Sequence, residues 1–115
     1  MHEYPATLQI IKIATEHGRL HQAKRITKIT LVVGEKSGFL SDSIEMYFKI
    51  IAEGTPVEGA ALEILSVKPL LNCPNCSELF ARKPYSFACP KCGQDGNPTE
   101  IGKEFYVKNI EIETA

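Results

Sequence analysis

The chain reads as an α+β protein: a three-stranded mixed sheet carrying two helices, with a small four-cysteine lobe inserted before the last strand. Three observations predict it. Two stretches space their apolar residues as helices do. Three others alternate apolar and polar residues in segments rich in β-branched side chains, and all four cysteines fall between positions 73 and 92. The elements include one strand–helix–strand unit. Such units cross over right-handedly, so its two strands should run parallel if they share a sheet. The lobe begins and ends at that sheet. The chain therefore divides into an α/β domain of residues 1–69 and 100–115 and an inserted domain of residues 70–99.

In the first helix Ala6, Ile10, Ile13 and Ala14 share one face while Gln9, Lys12 and Glu16 take the other. Pro5 suits the first helical position, where the N–H it lacks has no partner to lose. His17-Gly18 marks the expected end. Residues 26–33 set Ile29, Leu31 and Val33 against Lys28, Thr30 and Val32, which is a strand. "GEKSG" (34–38) is a turn. Ser41 or Asp42 can cap the second helix, in which Ile44, Tyr47, Phe48 and Ile51 recur at helical spacing, and Gly54 and Pro56 stop it. "ALEILSVK" (61–68) is the second strand. "FYVKNIEIE" (105–113) is the third, with Ile110 and Ile112 alternating with Glu111 and Glu113.

The totals exclude several classes of function. At 115 residues, 43% hydrophobic and 23% charged, the chain can form one ordinary domain, or a small core with an appendage. Thirteen basic against fourteen acidic residues leave a formal charge of −1, which argues against general binding to nucleic acid or to a membrane surface. No apolar run approaches the ~20 residues of a membrane span. The first residues lack a basic stretch followed by an apolar core, so no secretory signal is expected and the cytoplasm is the expected location. There is no Ser/His/Asp constellation, no Gly-rich phosphate loop and no pair of carboxylates at catalytic spacing. An enzyme is not expected.

"CPNC" (73–76) and "CPKCG" (89–93) are two Cys-x-x-Cys pairs with 12 residues between them. Two intervening residues let a tight turn aim both sulfurs at one ion, and the Pro and Gly suit that turn. Without a secretory signal, such pairs read as metal ligands rather than disulfides. Cys73, Cys76, Cys89 and Cys92 would form a tetrahedral zinc site, as in zinc ribbons, with iron the rival ion for four sulfurs. Four protein ligands leave no open position, so the ion's role is structural. A lobe of roughly 30 residues cannot bury enough apolar surface to fold alone, and a zinc site can contribute on the order of 10 kcal/mol. Arg82, Lys83 and Lys91 read mainly as solvated charges, able to offset the negative charge of a zinc tetrathiolate.

The chain opens "MHE". A free terminal amine, the amide nitrogen of residue 2 and the ring of His2 can close adjacent chelate rings on one metal, with the amide of Glu3 within reach of a fourth corner. Four nitrogens in a plane suit Ni(II) or Cu(II), whereas Zn(II) gains nothing from that field. A site of this kind is open and able to release its ion, unlike the closed sulfur site. The Glu3 side chain has three readings: cap of the first helix, which the dipole favours, oxygen ligand, or partner contact. Capping leads.

"MHE", "ITKITLVVGEKSG", "EGTPVEGAALEI", "CPNC…CPKCG" and "VKNIEIE" occur in order along essentially the whole chain. Together they resemble the HypA/HybF family of nickel chaperones for [NiFe]-hydrogenase maturation. The resemblance implies a nickel site at His2 with backbone nitrogens from Met1 and Glu3, and structural zinc at the four cysteines. It also implies delivery of nickel with a HypB-type GTPase to the hydrogenase large subunit, some members serving urease as well. Pro5 departs from the small or aliphatic residue expected after "MHEY" and is read as the helix start. A zinc-ribbon nucleic-acid module and a protein-binding adaptor are the competing functions, and self-association into a homodimer stays open. His17 and His21 are expected to be surface residues, because Gly18 argues against one continuous helix through both. Glu35 is expected to be a solvated loop acid.

Overall fold

The computed structural model describes residues 3–114. Its elements follow the order α1 (Glu3–Leu20), β1 (Ala23–Gly34), α2 (Ser41–Ile51), β2 (Ala61–Val67), β3 (Leu70–Asn72), β4 (Leu79–Ala81), β5 (Asn97–Pro98) and β6 (Phe105–Thr114). Three strands form one sheet in the order β2-β1-β6. β1 and β2 are parallel, with Lys28 opposite Ala61 and Gly34 opposite Val67. β6 runs antiparallel to β1, from Arg25 opposite Glu113 to Val33 opposite Phe105. The sheet is therefore mixed, with the strand–helix–strand unit supplying its parallel pair, as the alternation patterns and the crossover rule predicted.

Both helices pack on one face of this sheet. Ile10, Ile11 and Ala14 of α1 and Ile44 and Phe48 of α2 are buried with Ile29, Leu31 and Val33 of β1 in a single apolar cluster. From Ile29 on, the odd-numbered residues of β1 face the helices, as the period of two requires; an irregularity between Ile26 and Lys28 shifts the alternation, so Ile26 joins the same cluster. Lys28 and Thr30 point to the other face. There Lys28 lies 3.4 Å from Glu63 on β2 and 3.8 Å from Glu111 on β6, tying the central strand to both edges. These pairs are largely solvated, so their contribution is small.

The first helix departs from the expected bounds at both ends. It starts at Glu3, so Pro5 lies within the first turn, where backbone N–H groups have no intrahelical acceptor and proline is tolerated. It runs on through Gly18 to Leu20. The helix stops at Gln22, whose φ of 57° puts it in the left-handed region and whose N–H donates to the Arg19 carbonyl. Gly18 has a packing role instead. A Cβ there would sit 3.0 Å from Cδ1 of Ile26, so the missing side chain lets α1 approach β1.

A second sheet, ordered β4-β3-β5, belongs to the cysteine region. β3 follows β2 after only Lys68 and Pro69. Where the chain returns, backbone crosses backbone: the N–H of Gly34 donates to the Glu104 carbonyl at 2.7 Å, and that of Lys36 to the Gly102 carbonyl at 2.6 Å. A Cβ on Gly34 would run into the Gly102 carbonyl. Glycine at the end of β1 is thus what allows the insert's exit to close against the sheet.

Candidate metal centre

The two Cys-x-x-Cys segments fold into the same knuckle. The N–H of Cys73 donates to the carbonyl of Glu78 at 2.9 Å, and the N–H of Ser77 to that of Cys73 at 2.8 Å. In the second segment, Cys89 pairs with Gln94 at 2.8 Å and Gly93 with Cys89 at 2.9 Å, at the same sequence offsets. Ser77 (φ 57°) and Gly93 (φ 77°) hold equivalent left-handed positions. The glycine after the last cysteine suits that geometry, and in the first knuckle a serine adopts it at some cost. Backbone N–H groups also point at sulfur, from Cys76 to Cys73 at 3.3 Å and from Lys91 to Cys89 at 3.4 Å.

All four sulfurs lie within 4.8 Å of one another. Cys73 and Cys92 are 3.6 Å apart, and Cys76 and Cys89 are 4.0 Å apart. A disulfide needs about 2.05 Å, so these are not bonded pairs. A tetrahedron with metal–sulfur bonds of about 2.3 Å has edges of about 3.8 Å, which the two separations bracket. The electrostatics favour a cation among the sulfurs. The thiol of Cys76 is pushed up to about 12, first by hydrogen bonding to Cys92 and then by burial. That of Cys92 is brought down to about 7, first by an N–H from Gln94. Four clustered thiols cannot all ionise unless a cation compensates them, which is what a structural metal does. Cys73 and Cys89 are buried and Cys92 is exposed, so the cluster lies near the surface. Among the described residues no other group of three or more His, Cys, Asp or Glu side chains converges in this way.

Glu3 lies elsewhere, at the start of α1, and is only 8% exposed. Its carboxylate accepts the N–H of Leu40 at 3.0 Å. Leu40 is the N-cap of α2 and has no side-chain cap of its own. The expected helix cap is therefore real but serves chiefly the second helix, across 37 residues of sequence. This hydrogen bond, followed by one from its own backbone N–H, holds the Glu3 carboxyl below its ordinary value. Neither Ser41 nor Asp42 takes the N-cap position expected of one of them; nothing in the spacing of the sequence pointed to Glu3 as the substitute. Met1 and His2 lie outside the described residues.

The remaining candidates are solvated. Lys91 pairs with Glu78 at 2.6 Å, which raises its pKa, and the neighbouring thiols contribute less. His17 and His21 are exposed, as expected, but α1 is continuous past Gly18 and both border a cleft against Val107 and Ile110 of β6. Glu35 is exposed in the turn after β1.

Residues 1–112 match the family described as "Hydrogenase/urease nickel incorporation, metallochaperone, hypA". The chain belongs to the HypA family. Among HypA relatives, the hydrogenase maturation factor HypA of Caldanaerobacter subterraneus subsp. tengcongensis is 38% identical over 114 residues, covering 98% of this chain and 100% of that protein. The HypA of Nostoc punctiforme is 35% identical, covering 98% and 96%. The solution structure of the Ni metallochaperone HypA from Helicobacter pylori superposes with a TM-score of 0.66 at 26% identity, over 98% of each chain. A second HypA solution structure gives 0.73 at 26% identity, over 100% of this chain and 98% of that one. The HypA role is that of a metallochaperone in hydrogenase maturation, which is carriage of a metal rather than catalysis.

Proposed function

We propose that this HypA protein carries Ni(II) as cargo at its amino terminus, through the imidazole of His2 with nitrogens from Met1 and Glu3, and hands it on for assembly of [NiFe]-hydrogenase. The observation that carries this reading is the family match, which begins at residue 1 and so includes the "MHE" opening. The chemistry of the two donor sets supports the division of labour. Four clustered sulfurs make a closed site suited to a resident Zn(II) held by Cys73, Cys76, Cys89 and Cys92. Nitrogens at a chain end make an open site suited to an ion that must leave, in the planar field that Ni(II) accepts.

On this reading residues 1–69 and 100–115 form the nickel-carrying domain and residues 70–99 the zinc domain. Glu3 acts as a strut. With its carboxylate engaged by the N–H of Leu40, the residue following His2 is fixed to the start of α2, which anchors the nickel-bearing end on the folded domain. A HypB-type GTPase and the hydrogenase large subunit are the partners that fit, and the cytoplasm is the compartment. Among the described residues no helix is long and apolar enough to cross a membrane.

The test is to add one residue ahead of Met1. The extension converts the terminal amine to an amide while every side chain stays in place. Tight stoichiometric nickel binding should disappear, with zinc content unchanged. Undiminished nickel affinity in the extended protein would rule out a site built on the amine.

A further inference from the structure

The segment that joins the two knuckles, residues 82–87, has features the metal site does not require. Its Lys83–Ser86 turn is closed by the N–H of Ser86 donating to the Lys83 carbonyl at 3.1 Å, with Pro84 second in the turn. The third residue is Tyr85, at φ 60°. Turns with positive φ at that position favour glycine or asparagine, and a tyrosine there holds the backbone against its preference. The ring gains nothing within the fold, since Tyr85 is 101% exposed. An aromatic side chain held in a strained turn and fully in solvent is available for a partner to bind.

Its neighbours indicate what that is. Tyr85 borders a cleft of about 500 Å³ between the lobe and the main sheet, shared with Lys68, Arg82, Lys83 and Glu35. Among the described residues, Lys68, Arg82 and Lys83 form no ion pair, unlike Lys91. The guanidinium of Arg82 lies 4.6 Å above the ring of Phe87, which pre-orients it. Three cations face one carboxylate on a chain whose total charge is −1, so the positive field is local to this cleft.

We propose that the cleft lined by Lys68, Arg82 and Lys83 is a docking site for an acidic, extended segment of a partner protein, anchored by Tyr85. Arginine and tyrosine are the side chains that most often carry interface affinity, and carboxylates complement the three cations. The occupant is a peptide rather than a nucleic acid because Arg82 already covers one face of the Phe87 ring that a base would need for stacking. The site does not depend on nickel at the amino terminus.

The experiment uses the isotope-labelled, zinc-loaded full chain, titrated with a short synthetic peptide of glutamates interspersed with leucine. Its glutamine counterpart and an oligothymidylate are titrated in parallel. The glutamate peptide should shift the backbone resonances of residues 82–87 and Lys68, and should bind more weakly as salt rises. Replacing Arg82 and Lys83 together with alanine should weaken binding roughly tenfold or more. Tyr85→Gly relaxes the turn, so the lobe keeps its fold, and it should also weaken binding roughly tenfold. A merely structural Tyr85 would leave the affinity of that variant unchanged. The proposal is overturned if the glutamate peptide does not bind, if it perturbs another surface, if the glutamine peptide binds equally well, or if the oligothymidylate binds the same residues more tightly.

Discussion

Removing the metal from the cysteine lobe should unfold that lobe and leave the helix-covered sheet intact. The lobe has little else to hold it. Between Leu70 and Pro98 the buried apolar residues are Leu71 and the two ligand cysteines Cys73 and Cys89. A buried leucine stabilises by about 1.5–3 kcal/mol. A structural zinc site contributes on the order of 10 kcal/mol or more, so the metal dominates several-fold. The strands β3, β4 and β5 are too short, at two or three residues each, to persist as an isolated sheet. The main core is independent of them. Its buried cluster runs from Ile10 to Val57 and takes no residue from the lobe. The assay is a chelator titration followed by amide NMR and metal analysis. As metal leaves, resonances of residues 70–98 should collapse toward random-coil positions while those of β1, β2 and β6 stay dispersed. Cys73→Ser, at the most buried corner, should reproduce this pattern without chelator. Dispersed lobe resonances in metal-free protein would show instead that the lobe holds itself by packing.

Four further outcomes follow from the same geometry. Gly34→Ala forces a Cβ against the backbone of Gly102, which cannot yield as a side chain can; it should cost about 3 kcal/mol in urea unfolding, the upper end for overpacking. Ile44→Ala empties a fully buried position between α2 and the sheet and should cost about 3 kcal/mol, with zinc content of the purified protein unchanged. Gly18→Ala sets a gain in helix propensity of about 1 kcal/mol against a contact with the movable end of Ile26, so its urea midpoint should stay close to wild type. Glu3→Ala strips the cap from Leu40, so amide hydrogen exchange in the first turn of α2 should speed up while the last turn is unaffected.

What the sequence revealed was set by local spacing, and what it hid was set by distant contacts. The four cysteines were legible because two residues between ligands and a turn-forming Pro or Gly are local requirements of a shared ion. The parallel pairing of β1 with β2 was legible because a helix between two strands of one sheet carries the chain back to run in the same direction. The end of α1 was misread because glycine is both a helix stop and a packing gap. At Gly18 the deciding atom is Cδ1 of Ile26, which is close in space but on another element. The partner of Glu3 was hidden for a related reason. A carboxylate near a helix start suggests a cap on that helix, and no periodicity connects position 3 with the N–H of residue 40. The cleft beside Tyr85 gave only a partial signal. Arg82 and Lys83 read as charges near a metal, whereas the exposure of Tyr85 and its positive φ exist only once the turn is folded.

In the proposed function nickel is held at the amino terminus by His2 and the terminal amine, apart from the sulfur site. The most direct measurement is a nickel titration of untagged, zinc-loaded protein, followed by absorption spectroscopy, alongside His2→Ala. Nickel should bind the wild type stoichiometrically with the spectrum of a planar nitrogen field, and His2→Ala should lose that binding with its zinc content unaltered. Nickel that instead enters the four thiolates, displaces zinc and binds the His2→Ala protein equally well would rule out an amino-terminal nickel site.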